Sequence, residues 1–380
     1  MSTWPNYSAP PTATSILMAY WTRSPLNFVL PNLASAGPEP VLPFSSYMDK
    51  SEFEIIRDFF AGPGLCFPRE GVLVGNGDDG AVLRPPGNKS IVISTDVLNA
   101  GRHFPEGADP AAVAWRSLAV NLSDLAAMAA EPWCFTLGLT LPGYDKDWLT
   151  AFSAGLEKLA REFKCPLVGG DLNKGPLSIA IQVQGLIEGD PLLRSGARIG
   201  DKVYVSGCLG DAAAALLCLG LPSHLGTEFQ LSQSGLTQAH QEFLRERYFY
   251  PRPQIHLARS LRPLLSSAID LSDGLVGDLG HILAASEVGA RLWADQLPVS
   301  SALSDVLSES NRLRAALFGG DDYELCFTAA AQHHEQIIQT ATDIGAAVCV
   351  VGEIVAAAGL HISGADEVKH SMNQTAYRHF

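Results

Sequence analysis

Short apolar runs that abut glycine and aspartate recur along this chain. The first is Gly75-Asn76-Gly77-Asp78-Asp79-Gly80-Ala81-Val82-Leu83, followed by Ile91-Val92-Ile93-Ser94-Thr95-Asp96. Pro166-Leu167-Val168-Gly169-Gly170-Asp171 repeats the device. So do Ala268-Ile269-Asp270-Leu271-Ser272-Asp273-Gly274-Leu275 and Gly319-Gly320-Asp321-Asp322-Tyr323-Glu324-Leu325. Apolar runs of this length read as strands, and glycine beside them lets backbone approach closely. A fold that gathers such strand ends gathers their carboxylates, and gathered carboxylates call for cations.

The most apolar long window, Ala111–Ala130, contains Arg116, Asn121 and Asp124. Each is costly in hydrocarbon, so the window is a core helix and not a membrane span. Asp109-Pro110 supplies a cap and a first-turn proline. Val113, Leu118, Leu122, Leu125 and Ala129 cover most faces, which implies burial on nearly all sides. Asn121 and Asp124, three apart, share one face. A buried carboxylate needs compensation, either an ion pair with Arg116 or another cation, or a metal; the acid clusters elsewhere favour the metal.

Further elements follow from periodicity. Helices are expected from Met48 (Phe53, Ile56, Phe59, Phe60) and over Trp148–Phe163. Strands are expected over Trp133–Leu141, Ser178–Ile187, Lys202–Ser206 and Glu324–Thr328, with Val348–Ile354 the last. Asp211 and Asp273 each precede a helix and could act as caps, whereas a cap does not explain Asp270. At 380 residues two domains are expected. Gly189, Asp190 and Pro191 mark the boundary between an α/β unit at 48–187, carrying metal, nucleotide and pairing functions, and a second at 188–380. Residues 1–47 contain only Arg23 and Glu39 as charges and are expected to be a disordered extension.

A formal charge of −14 argues against nucleic-acid and anionic-membrane partners, though anions can bind through metal ions. The seven cysteines form no CxxC pair, which suits a reduced, cytoplasmic protein. The glycines at 71–80 precede a strand instead of a helix, and no GxxxxGK[ST] loop or DxDxDG calcium loop occurs. Mg²⁺ takes oxygen ligands and keeps waters, and Asp79, Asp96, Asp124, Asp171, Asp270 and Asp273 are too many for one ion. Several ions suit ATP held beside an acceptor that is itself a phosphate. Such an acceptor is largely dianionic at neutral pH and needs no general base.

With Ala119-Val120-Asn121-Leu122-Ser123-Asp124-Leu125-Ala126-Ala127-Met128 and Gly101-Arg102-His103-Phe104 added, these motifs resemble, in order, those of thiamine-monophosphate kinases from about Met48 onward. The resemblance implies an α/β (α+β) fold of two domains shared with aminoimidazole ribonucleotide synthetase and selenophosphate synthetase, with N-terminal domains pairing in a homodimer. It implies Mg²⁺-assisted, in-line transfer from ATP to thiamine phosphate, the last step of thiamine diphosphate formation. Carried over, Asp79, Ser94, Thr95, Asp96, Asp124, Asp171, Asp270 and Asp273 match metal positions, with Asp124 and Asp273 bearing most directly on catalysis. Gly170, Asp171, Arg194 and Ser272 match ATP contacts, and His103, Asp321 and Tyr377 match acceptor contacts. Asp321 stands where the family usually has the longer Glu. Another ATP-using synthetase of the superfamily and a catalytically silent thiamine phosphate or nucleotide binder are the competing readings.

Overall fold

The computed structural model describes residues 50–232 and 235–364. The expectations for residues 1–47 and for Tyr377 fall outside them.

The chain opens with one helical turn, α1 (Glu52–Ile55), which continues as a π-turn over Ile56–Phe60. Ser51 and Glu54 close a reciprocal capping box on it. The expected helix thus forms over residues 52–60, its second half as π-turns. Ile55 and Phe60 are buried but Phe53 is 80% exposed, so only part of the intended face finds a core. β1 (Val72–Val74) and β2 (Val82–Leu83) then make a small antiparallel ribbon with the Gly75–Ala81 loop at its tip.

β3 (Ser90–Asn99), β4 (Glu131–Leu141), β5 (Leu167–Lys174) and β6 (Ser178–Ile187) form a four-stranded sheet in the order β3-β6-β4-β5. β3 pairs antiparallel with β6 along its whole length, from Ser90↔Ile187 to Asn99↔Ser178. β4 and β5 are parallel, joined by helix α3 (Lys146–Glu162) as a parallel pair requires. Neither Asp96 nor Asp171 stands at a strand end. The ladders continue past them to Asn99 and Lys174, because β6 and β4 supply partners that far.

Helix α2 (Pro110–Ala127) packs on this sheet, and from Ala112 to Ser123 every residue is buried. Asp109 caps it by accepting from the Ala111 N–H, with Pro110 in the first turn. Its polar side chains are satisfied locally or across the fold: the Ser117 hydroxyl donates to the Val113 carbonyl, and Trp115 Nε1 donates to the Pro251 carbonyl at 3.1 Å.

The second sheet contains β7 (Asp201–Ser206), β8 (Leu265–Asp270), β9 (Gly289–Trp293), β10 (Leu325–Ala330), β11 (Val348–Val355) and β12 (Leu360–Ser363). Its order is β12-β9-β11-β7-β10-β8, antiparallel except for β12 on β9. β11 is thus not the last strand; the four-residue β12, only partly covered, follows it. Helices α4 (Asp211–Leu219), α5 (Gln238–Phe249), α6 (Ile255–Leu261), α7 (Leu275–Ser286), α8 (Ser301–Val306), α9 (Glu309–Phe318) and α10 (His334–Asp343) connect these strands. Among the described residues no helix is long and apolar enough to cross a membrane.

α2 and α3 touch through Gly155, where an added Cβ would lie 2.3 Å from the Ala111 carbonyl oxygen and 2.8 Å from its Cα. Alanine is the better helix former by about 1 kcal/mol, so in an open helix Gly155→Ala would stabilise. Here overpacking dominates, and the variant should lose about 1–3 kcal/mol in urea unfolding. A gain in stability would show that the two helices can separate freely.

Candidate active site

Period-two alternation along β3 turns Val92, Ser94, Asp96 and Leu98 to the covered face and leaves Ile91, Ile93, Thr95 and Val97 exposed. Ser94 and Asp96 thereby meet α2. The Ser94 hydroxyl donates to Asp124 Oδ2 at 2.5 Å, and the Asp96 backbone N–H donates to Asn121 Oδ1 at 3.0 Å. Asn121 in turn donates to the Ser117 carbonyl, which fixes its amide.

The two acid motifs of the second sheet are laced to each other. The Asp321 N–H donates to the Ser272 carbonyl at 2.9 Å, Tyr323 N–H to Leu271, and Leu271 N–H to Glu324. β8 and β10 hold the same register beyond, with Asp270 opposite Leu325. Glycine permits this approach: a Cβ on Gly320 would sit 2.3 Å from the Ser272 carbonyl oxygen, and Gly274 has φ +104°. Asp273 is not the cap of α7. Gly274 holds that position, and Asp278 from inside the helix accepts the Asp273 and Gly274 N–H groups at 3.1 Å each. Likewise Gly210, not Asp211, caps α4.

These segments enclose a cavity of about 380 Å³. Thr95, Asp96 and His103 line it from the first sheet and its following loop, and Ser272, Asp273 and Asp321 from the second. Asp124 and Asp270 belong to the same electrostatic cluster. Burial, with the Asp124 charge beside it, pushes Asp96 up to about 6. Asp270 is held far above the ordinary carboxylate range by burial and then by Asp124, with Asp278 and Asp96 adding to this against a hydrogen bond from Ser123. Burial raises Asp124 too, opposed by the Ser94 hydrogen bond and the Arg194 charge.

Asp171 and Gly170 lie apart, on β5, beside a small cavity shared with Asn76 and Leu172. The close approach made by Gly170 is to the neighbouring strand: its Cβ would fall 2.1 Å from the Leu137 carbonyl oxygen. Asp79 sits in the exposed loop of the β1–β2 ribbon, its N–H bonded to Asp78, with no contact to the cavity among the described residues.

Sequence reasoning offered Arg116 as a partner for Asp124; instead it pairs with Asp321. Arg116, Tyr248, Tyr323, Arg102 and His224 also line the cavity, and no acid-and-glycine motif in the sequence marks Arg116, Tyr248 or His224. A lone arginine in an apolar helix was a visible signal, but its partner lies 205 residues away.

The donor set suits Mg²⁺. Asp96, Asp124 and Asp270 are oxygen donors whose mutual repulsion resists ionisation, the condition a divalent cation relieves. Among the described residues no three His, Cys, Asp or Glu side chains cage an ion by themselves. Mg²⁺ commonly relies on one or two carboxylates, waters and substrate phosphates.

The Asp96 shift has a definite sign. Its folded pKa of about 6 exceeds the unfolded value of about 4, so its stabilising contribution is complete below pH about 4 and is lost as pH rises through 6. Asparagine mimics the protonated acid. In chelator, Asp96→Asn should match the wild-type thermal midpoint below pH 4 and exceed it at pH 8. A pH-independent difference would refute the burial of an ionisable Asp96.

The family model for AIR synthase related protein, N-terminal domain, matches residues 77–187, and that for the C-terminal domain matches residues 198–364. Thiamine-monophosphate kinase of Salmonella typhimurium is 42% identical over 334 residues, 87% of this chain and 98% of that protein. The crystal structure of thiamine-monophosphate kinase from Stenotrophomonas maltophilia K279a superposes with a TM-score of 0.71 at 41% identity, covering 78% of this chain and 92% of that one. AaThiL complexed with AMPPCP and TMP superposes with a TM-score of 0.65 at 28% identity, covering 80% and 91%. With its two α/β domains of the AIR synthase type, the chain belongs to the thiamine-monophosphate kinase family.

Proposed function

We propose that this enzyme transfers the terminal phosphoryl group of ATP directly and in line to the phosphate of thiamine phosphate, giving thiamine diphosphate and ADP. The observation that carries the reading is the cavity in which Thr95, Asp96 and His103 face Ser272, Asp273 and Asp321 across the two sheets. The family membership and a relative crystallised with AMPPCP, an ATP analogue, and TMP support it.

In this reading Ser94, Thr95, Asp96, Asp124, Asp270 and Asp273 would hold Mg²⁺ at this cavity, while Asp79 and Asp171, which lie apart from it, are assigned to metal by the resemblance alone. The ions would supply charge neutralisation between two phosphate-bearing substrates. Gly170, Asp171, Arg194 and Ser272 contact ATP; a guanidinium such as Arg194 grips phosphate through two parallel hydrogen bonds. His103, Asp321 and Tyr377 contact the acceptor. The acceptor phosphate is its own nucleophile, so the protein's part is orientation and exclusion of water. Asp278 keeps the Ser272–Gly274 turn in shape by accepting its N–H groups.

We further propose that a second copy covers the outer face of β3, where Ile91, Ile93 and Val97 are 43%, 60% and 47% exposed. Ile93→Glu should convert a dimer to a monomer in sedimentation equilibrium. An unchanged mass would move the interface elsewhere.

Chromatography of products after incubation with Mg²⁺-ATP and either thiamine phosphate, thiamine or no acceptor tests the activity. Thiamine diphosphate with equimolar ADP is expected from thiamine phosphate alone, and its absence would overturn the assignment. Asp124→Asn should lower kcat by a factor on the order of a hundred or more, the scale of losing one group that stabilises transferring charge. Its thermal midpoint should not fall, since a repelling buried charge is removed.

A further inference from the structure

His103 and Asp321, assigned above to the acceptor, come from opposite halves of the chain, and two buried side chains, Arg116 and Tyr248, join them. Arg116, 2% exposed, pairs through Nη2 with Asp321 Oδ1. Its Nη1 donates to the Tyr248 carbonyl at 2.6 Å, and its guanidinium lies 3.9 Å from the Tyr248 ring centre. The Tyr248 hydroxyl donates to the His103 carbonyl at 2.6 Å. Asp321, Arg116, Tyr248 and His103 therefore form one continuous chain of contacts around the cavity.

We propose that Arg116, acting with Tyr248, is a positioning residue that sets the placement of the phosphate acceptor by fixing Asp321 relative to His103. The proposal rests on the assignment of thiamine phosphate to this end of the cavity. Three features favour positioning over plain stabilisation. Arg116 gives up its water to pair with a carboxylate that stays 28% exposed, which makes the pair a weak source of stability compared with an apolar side chain of the same size. Asp321 has φ +70°, a backbone state that an aspartate keeps only when its surroundings hold it. Both side-chain contacts to Asp321, from Arg116 and from the Tyr323 hydroxyl, fall on Oδ1. Oδ2 makes no hydrogen bond among the described residues and is left for a ligand in the cavity that Asp321 lines. The aspartate at this position is short, so Arg116 decides where its remaining oxygen stands.

Steady-state kinetics of R116M, R116K, Y248F and the R116M/Y248F double variant test this. R116M should raise the KM for thiamine phosphate about tenfold or more, because small misplacements of binding groups are costly. The KM for ATP should stay within about twofold, the pattern of a lost acceptor contact. R116K keeps the charge but cannot reach both partners with a fork and should fall between. Y248F, which removes one hydroxyl, should change the same constant in the same direction. The double variant should be no worse than R116M, since both break one relay. Equal changes in both KM values, or Y248F kinetics identical to wild type, would overturn the proposal. If R116M does not fold, Y248F decides alone. A wild-type enzyme that fails to phosphorylate thiamine phosphate would instead overturn the acceptor assignment, and this inference with it.

Discussion

A helix with no face on water cannot leave a charge unanswered, and α2 carries two. Asp124 is met by the Ser94 hydroxyl from the first sheet, and Arg116 by Asp321 from a loop of the second. The amide of Asn121 accepts the Asp96 N–H between them. Of the partners that burial forces on α2, Asp321 and Asp96 line the cavity, and Ser94 is next to Thr95, which does. Core and site are consequently not separable: the polar satisfaction that lets α2 be buried also aligns β3 with the Gly320–Glu324 loop.

The acids divide into two kinds that composition cannot distinguish. Asp322 accepts the Gly210 and Ala212 N–H groups at the start of α4, and Glu324 accepts from Ser206, Arg247 and Gln254. These two are structural, and a Cβ on Gly207 would collide with the Glu324 carboxylate at 2.1 Å. Burial raises Asp322 as it raises Asp96, Asp124 and Asp270, but Asp322 has two backbone N–H donors and the Arg247 charge against it, whereas Asp96 and Asp270 are pushed further by the Asp124 charge. Unequal provision of partners, more than the number of carboxylates, marks the place where a cation is wanted.

Much of this was legible because it depends on local chemistry. Asp109-Pro110 does start α2, and the alternation at 178–187 gives β6 its observed bounds. The strands read from Trp133, Lys202 and Glu324 lie within about two residues of β4, β7 and β10, the usual uncertainty of such ends. Misreadings arose where a distant partner decides. Phe53 and Ile56 have helical spacing, but a core covers only part of that face. Asp273 looks like a cap, but Gly274 holds that position and Asp278, a turn later, reaches back to the Asp273 and Gly274 N–H groups. Asp96 looks like a strand terminus until β6 extends the ladder beyond it. The pairing of Arg116 with Asp321 has no local signal at all.

The seam between the two sheets has a thermodynamic consequence. Asp96 and Asp124 belong to one half and Asp270 to the other, so their repulsion acts across the seam and opposes its closure when they are ionised. Protons relieve that repulsion at low pH, and a divalent cation relieves it at neutral pH. A cation that binds the closed seam better than the open one must stabilise closure by the same free energy, since binding and conformation are linked. The Arg116–Asp321 pair crosses the same seam on the opposite side of Asp96's helix contact. The carboxylate cluster and the Arg116–Asp321 pair thus meet on one helix, α2, which carries both Asp124 and Arg116.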